Sequence, residues 1–206
     1  EDFIFRDKNF SFNSKGQIAL KPYLVIDLKT KVKDINISII KNLDINKLLE
    51  FREIIKLISI QNNIIFESKK FSSNLIDDLK IKINMGYGRL AILKSFSISE
   101  SKFDCSWNIN LTDDFPILFF SCSAENLNKD EFFKKFNIKN KLRDKILDVK
   151  VNGNINILNN KINFSSITSS NNFKATNEDF KFFKKAFEEY LFDENFLAIF
   201  NLEKLE

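Results

Sequence analysis

Apolar residues fall on every second position over much of this chain, the period of a β-strand with one buried face. The pattern is clearest late in the sequence: Val149, Val151, Gly153, Ile155 and Ile157, then Asn159-Asn160, then Ile162, Phe164 and Ile167. Asn-Asn can adopt the left-handed conformation of a tight hairpin turn. A two-residue turn there pairs Ile157 with Ile162 and Ile155 with Phe164, which puts both apolar sets on one face. An earlier meander has the same alternation. Leu79, Ile81, Ile83, Met85 and Tyr87 form one run, and Gly86 and Gly88 permit a bulge or close backbone approach. Leu90 and Ile92 begin the return, and Phe96 and Ile98 share a face. Phe103, Cys105, Trp107, Ile109 and Leu111 follow, then a turn at Asp113-Asp114, and Ile117 to Cys122 runs back. A turn centred on Asp113-Asp114 sets Cys105 opposite Cys122, Trp107 opposite Phe120 and Ile109 opposite Leu118. Two readings of the cysteines stand side by side: a cross-strand disulfide, or two reduced residues filling a core.

Residues 1–40 are also expected to be strands. Phe3, Phe5, Phe10 and Phe12 flank a turn near Asp7-Lys8-Asn9, and Asn13-Ser14-Lys15-Gly16 offers a second turn. Ile18, Leu20, Leu24, Ile26 and Leu28 share one parity, with Pro22 marking an edge position or a strand start. The phase changes between Leu28 and Ile35, which predicts a bend or bulge. Helical spacing takes over where Asp44 can cap Leu48, Leu49, Ile54, Ile55 and Ile58, so 44–78 reads as a helical insertion with a short connecting strand at Ile64–Phe66. Asn128 and Glu131 suggest a cap for a short helix near 129–137, bearing Phe132, Phe133 and Phe136. Thr176 or Asn177 can cap a helix through Leu191 whose stripe is Phe180, Phe183, Phe187 and Leu191. Asp193 can start another with Phe196, Leu197, Phe200 and Leu205, so two amphipathic helices are expected over 177–206.

Composition narrows the chemistry. The 206 residues carry 32 basic and 28 acidic side chains, a net charge of +4, and the charges are interleaved in the manner of solvated strand faces. Nucleic acid is therefore not an expected partner. The chain has 24 Phe against three Tyr and one Trp; with abundant Ile, Asn and Lys, this reflects an AT-rich coding bias as much as a binding chemistry. The absence of histidine removes His-based nucleophile activation and the commonest zinc ligand. Gly86-Tyr87-Gly88 lacks the later glycines and lysine of a phosphate loop, and the adjacent acids Asp77-Asp78 and Asp113-Asp114 are turn formers before they are catalytic pairs. No enzyme, cofactor or metal is expected. No apolar run approaches the ~20 residues of a membrane-spanning helix. The alternation is already running at Phe3 and Phe5, so the chain is expected to be one region of a longer protein.

Leu20 to Ile37, LKPYLVIDLKTKVKDINI, resembles the long strands of AsmA-like bacterial envelope proteins. Gly86 to Leu111, followed by Phe115-Pro116-Ile117-Leu118-Phe119-Phe120, resembles their later meander, and Val149 to Phe164 followed by helices is similar to their C-terminal region. The resemblance implies a periplasmic β-groove, anchored to the inner membrane by a segment outside this region, that supports envelope lipid homeostasis and phospholipid movement. The expected fold is mainly β with α: a curved antiparallel meander with amphipathic helices, two of them C-terminal. The expected ligand is a phospholipid or other acyl-chain lipid. Its candidate lining is Ile81, Ile83, Tyr87, Ile92, Phe103, Trp107, Ile109, Ile155, Ile157 and Phe164. The alternative is a β-rich structural or protein-interaction module whose apolar face is wholly covered; a third reading, an enzyme with an unfamiliar site, has no motif behind it.

Overall fold

Strand alternation this extensive demands pairing partners for a long row of backbone amides and carbonyls, and the chain supplies them within one sheet. The computed structural model describes residues 2–6, 10–20, 25–35, 47–50, 52–57, 62–68, 78–98, 100–135 and 146–192. Its strands are β1 (Asp2–Arg6), β2 (Phe10–Ala19), β3 (Val25–Ile35), β4 (Asn62–Ser68), β5 (Asp78–Gly86), β6 (Arg89–Ile98), β7 (Ser101–Asn110), β8 (Ile117–Asn128), β9 (Ile146–Asn156) and β10 (Lys161–Ser169). They form a ten-stranded sheet in chain order. Neighbours are antiparallel except β3 and β4, which are parallel. A parallel pair requires a crossover of a dozen or more residues. Here the crossover carries two short helices, α1 (Lys47–Glu50) and α2 (Arg52–Leu57). Helix α3 (Lys129–Lys135) follows β8, and α4 (Asn177–Phe192) follows β10. The fold is mainly β with some α.

Several local expectations change once pairing is known. Asn13 to Gly16 do not turn; they run through β2, where the Ser14 and Thr30 hydroxyls share a buried hydrogen bond of 2.6 Å. Turn propensity yields here because β1 and β3 both pair with this segment. The reversal instead falls between Ala19 and Val25, which pair, so Ile18 and Ile26 lie opposite each other on different strands. Pro22 and Leu24 lie outside the described residues, as does the turn expected at Asp7-Lys8-Asn9. The expected phase change in β3 is a bulge: Ser11 pairs with Asp34 and Phe12 with Val32, leaving Lys33 over. The 44–78 segment is only partly helical, because β4 is a seven-residue strand built into the sheet between β3 and β5.

The last hairpin also differs from its expected register. Ile155 pairs with Ile162 and Gly153 with Phe164, so the loop has four residues, Ile157 to Asn160, rather than two. Asn156 causes this: its Oδ1 accepts from the Leu158 and Asn159 amides at 3.1 and 3.3 Å, starting the turn early, and Asn160 closes it at φ 53°. The slip is two residues, so every side chain keeps its face. A bulge at Ser165 then returns Ile167 to the apolar face opposite Val151. The β7–β8 hairpin has the expected pairs: Cys105 with Cys122, Trp107 with Phe120 and Ile109 with Leu118. The β5–β6 turn is the two-residue pair Tyr87 (φ 53°) and Gly88 (φ 74°), a left-handed combination suited to the twist of a hairpin.

Helix caps follow the sequence closely. Asn128 Oδ1 accepts from the Glu131 amide at 3.3 Å at the start of α3. At α4, Thr176 Oγ1 accepts from the Asp179 amide at 3.3 Å while the Thr176 amide donates to Asp179 Oδ2 at 2.8 Å, a reciprocal capping box. The expected second C-terminal helix, with Phe196, Leu197, Phe200 and Leu205, lies outside the described residues, as does Phe136.

Candidate functional site

Register divides the sheet from β5 to β10 into two chemically different faces. One is predominantly polar, carrying Lys80, Lys82, Ser95, Asp104, Ser106, Asn108, Ser121, Ser123, Lys150, Asn152 and Asn154, with Ala91, Leu93, Ile117 and Phe119 set among them. The opposite face is apolar and falls into rows that run across the strands. The first row begins at the half-buried Met85 and continues through Leu90, Ile109, Leu118, Ile155 and Ile162, these five all buried, with at most 7% of any of them exposed. Ile55 of α2 and the buried Leu111 and Ile157 complete this core, with Leu49 of α1 packed against it. The crossover that makes β3 and β4 parallel thus also contributes Ile55 and Leu49 to the core at this end of the apolar face.

The next three rows are different. Ile83, Ile92, Trp107, Phe120, Gly153 and Phe164 form the first; Ile81, Lys94, Cys105, Cys122, Val151 and Ile167 the second; Leu79, Phe96, Phe103, Ala124, Val149 and Ser169 the third. Apart from Gly153 and Ile167, these residues are half-buried. At standard spacings the rows cover about 24 Å across six strands and about 14 Å along them. Phe96 and Phe103 stack at 5.0 Å, and Phe120, Phe164 and Phe187 form a chain of edge-to-face contacts at 6.0 and 5.5 Å.

Two features interrupt this apolar surface. Cys105 and Cys122 are joined in a disulfide across a narrow pair of positions, Cα–Cα 4.1 Å. Beside them Lys94 occupies an inward position, its Nζ 3.8 Å from the centre of the Trp107 ring. Burial holds the Lys94 pKa below the ordinary lysine value, because the ammonium gives up part of its hydration there. Among the described residues the ammonium meets this ring and no carboxylate.

The sequence-derived candidates sort accordingly. Ile81, Ile83, Ile92, Phe103, Trp107 and Phe164 share the half-buried rows. Ile109, Ile155 and Ile157 do not line an accessible surface; they are buried in the core cluster to which Ile55 of α2 also belongs. Tyr87 leaves the face altogether, since it occupies the hairpin tip and is 65% exposed. Lys94 was missed. Its signal was present, for it breaks the run Leu90, Ile92, Phe96, Ile98 at the one position where an apolar residue is due.

A concavity of about 600 Å³ lies elsewhere, around the β5–β6 turn and the β7–β8 loop. It gathers Asn84, Tyr87, Arg89, Asn108, Phe115 and Phe119. Its one carboxylate, Asp113, accepts from Asn110 Nδ2 at 2.8 Å, and no described nucleophile–base pair accompanies it. Among the described residues no group of three or more metal-ligating side chains converges, and no helix is long and apolar enough to cross a membrane. No family model, curated protein or solved structure matches the chain.

Proposed function

We propose that this region is a noncatalytic lipid-handling element of AsmA-like type, holding acyl chains against the half-buried rows as a β-groove. One observation carries the reading: from β5 to β10 one face is apolar at nearly every position while the other is predominantly polar, and three rows of the apolar face remain half-buried beside the closed first row. A soluble sheet of this kind needs something over its apolar side, and an acyl chain gains about 0.8 kcal/mol for each methylene removed from water. The polar face leaves the outer side of such a groove wet. A disulfide between β7 and β8 favours an oxidising compartment, which agrees with a periplasmic position and an inner-membrane anchor outside this region. The second reading, an interaction module with a fully covered face, draws on the closed first row under Ile55.

Native mass spectrometry with lipid extraction, on protein purified from an envelope fraction, separates the two. Copurifying phospholipid or another acyl-chain lipid is expected, and it should fall when Ile81→Ser and Phe103→Ser are combined. Circular dichroism on the same variant confirms that the sheet persists. A folded, lipid-free wild-type protein that also fails to take up added lipid would overturn the groove and favour the module.

A further inference from the structure

Among the described strand residues of the apolar face, Lys94 is the one charged side chain. Removing an ammonium from water is costly unless something compensates, and the Trp107 ring does so only in part, since a ring face supplies no hydrogen-bond acceptor for three N–H donors. A lysine needed only for solubility would stand on the opposite face with Lys80, Lys82 and Lys150. Its neighbours decide which anion suits it. Across the strands it stands between Ile81 and Cys105 of the disulfide; along its own strand it stands between Ile92 and Phe96. None of these side chains donates a strong hydrogen bond. A phospholipid's phosphodiester carries one charge on two free oxygens, as a carboxylate does, but it brings ester, glycerol and headgroup oxygens that find no donor here, whereas the carboxylate is the one polar group of a fatty acid and one ammonium can pair with it.

Building on the lipid-groove reading, we infer that Lys94 selects an unesterified fatty acid: the carboxylate pairs with its ammonium and the alkyl chain lies along the neighbouring apolar row over Ile83, Ile92 and Phe120. Charge complementarity within an apolar surface makes this a specificity device. A neutral amphiphile of the same length gains the same apolar contact but leaves Lys94 without a counter-ion.

The test compares palmitate with 1-hexadecanol, which keeps the sixteen-carbon chain and lacks the charge, on the wild-type chain and the variants Lys94→Met and Lys94→Arg. Titration calorimetry or native mass spectrometry reads the affinities, and circular dichroism checks each fold. Wild type should favour palmitate about tenfold or more, as expected when one ion pair is held partly out of water. Lys94→Met should erase that preference by weakening palmitate and sparing hexadecanol, and Lys94→Arg should keep most of it. Equal binding of the two ligands by wild type, or a preference that survives in Lys94→Met, overturns the role of Lys94 while leaving the groove intact. Tighter binding of vesicle-derived phosphatidylglycerol than of palmitate, lost in Lys94→Met, overturns the carboxylate in favour of a phosphate head. Failure of every alkyl ligand to bind sinks the groove and this inference together.

Discussion

Gly153 stands in a row of large side chains, between Phe120 on β8 and Phe164 on β10. A methyl group there would meet the Asn163 carbonyl oxygen and come within 2.6 Å of the Phe120 ring. Gly153→Ala is therefore expected to cost about 1–3 kcal/mol through overpacking, seen as a lower urea midpoint with an unchanged slope. Lys94 has the opposite expectation. Burial lowers its pKa in the folded chain, so at pH values between that lowered value and the ordinary 10.5 the unfolded chain binds more protons, and stability rises as pH climbs through the interval. Lys94→Met should remove this dependence and raise the neutral-pH Tm by about 2–4 °C, the shift of roughly 1 kcal/mol in a chain of this size. Thermal unfolding of both proteins from neutral pH upward checks it; a less stable Met variant would mean that the ammonium has a partner strong enough to offset its burial. These two positions were legible to different degrees. Gly153 kept its parity in the alternation, but the rings on either side became visible only with the register, after the four-residue loop had displaced the expected pairs.

At the scale of elements, α4 shows how the end of the sheet is sealed. Strand β10 is an edge in the ten-strand order, and an edge offers unpaired amides to any passing strand. Helix α4 lies along it: Glu188 Oε1 accepts from the Ile162 amide at 3.0 Å, its other oxygen pairs with Lys161 Nζ at 3.3 Å, and Lys184 Nζ donates to Asn163 Oδ1 at 3.1 Å. Glu188→Ala should accelerate hydrogen exchange at the Ile162 amide and cost about 1–3 kcal/mol, since a carboxylate-bound amide loses its partner. The cap sets the helix in place, and Thr176→Ala should cost about 1 kcal/mol. Asp179 is held below the ordinary carboxylate range, first by the Thr176 amide and then by the Thr176 hydroxyl. Its pH slope has the same sign as that of Lys94, because a lowered pKa again leaves the unfolded chain binding more protons: the stabilisation is present above the unfolded pKa and is lost as pH falls through the folded one. Caps of this kind were readable because they depend on residues three apart. The turn expected at Asn13 to Gly16 was not, because a local signal gave way to pairing with strands on both sides.

For the molecule as a whole, alternation revealed a one-sided sheet but not how much of that side is covered. Alternation has no direction, so the parallel step from β3 to β4 was invisible, and with it the crossover that brings Ile55 over the first apolar row. Ile109, Ile155 and Ile157 read as lining in the sequence and are core in the structure, in the cluster that Ile55 of the crossover joins. The division between closed and half-buried rows makes a quantitative claim about two isoleucines on the same face. Ile155, 4% exposed within the core cluster, has the packing of an interior residue, and Ile155→Ala should cost about 2–5 kcal/mol in lost burial and cavity. Ile81, half-buried two rows away, has fewer atoms to lose contact with, and Ile81→Ala should cost under about 1 kcal/mol. Urea titrations of the two variants in lipid-free protein give the ratio directly. A saturating fatty acid should then widen the cost of Ile83→Ala, because ligand binding adds stability that grows with affinity and Ile83 lies where the chain would rest. Equal costs for the two substitutions without lipid would mean that the middle rows are as closed as the first, and the apolar face would then be an ordinary core.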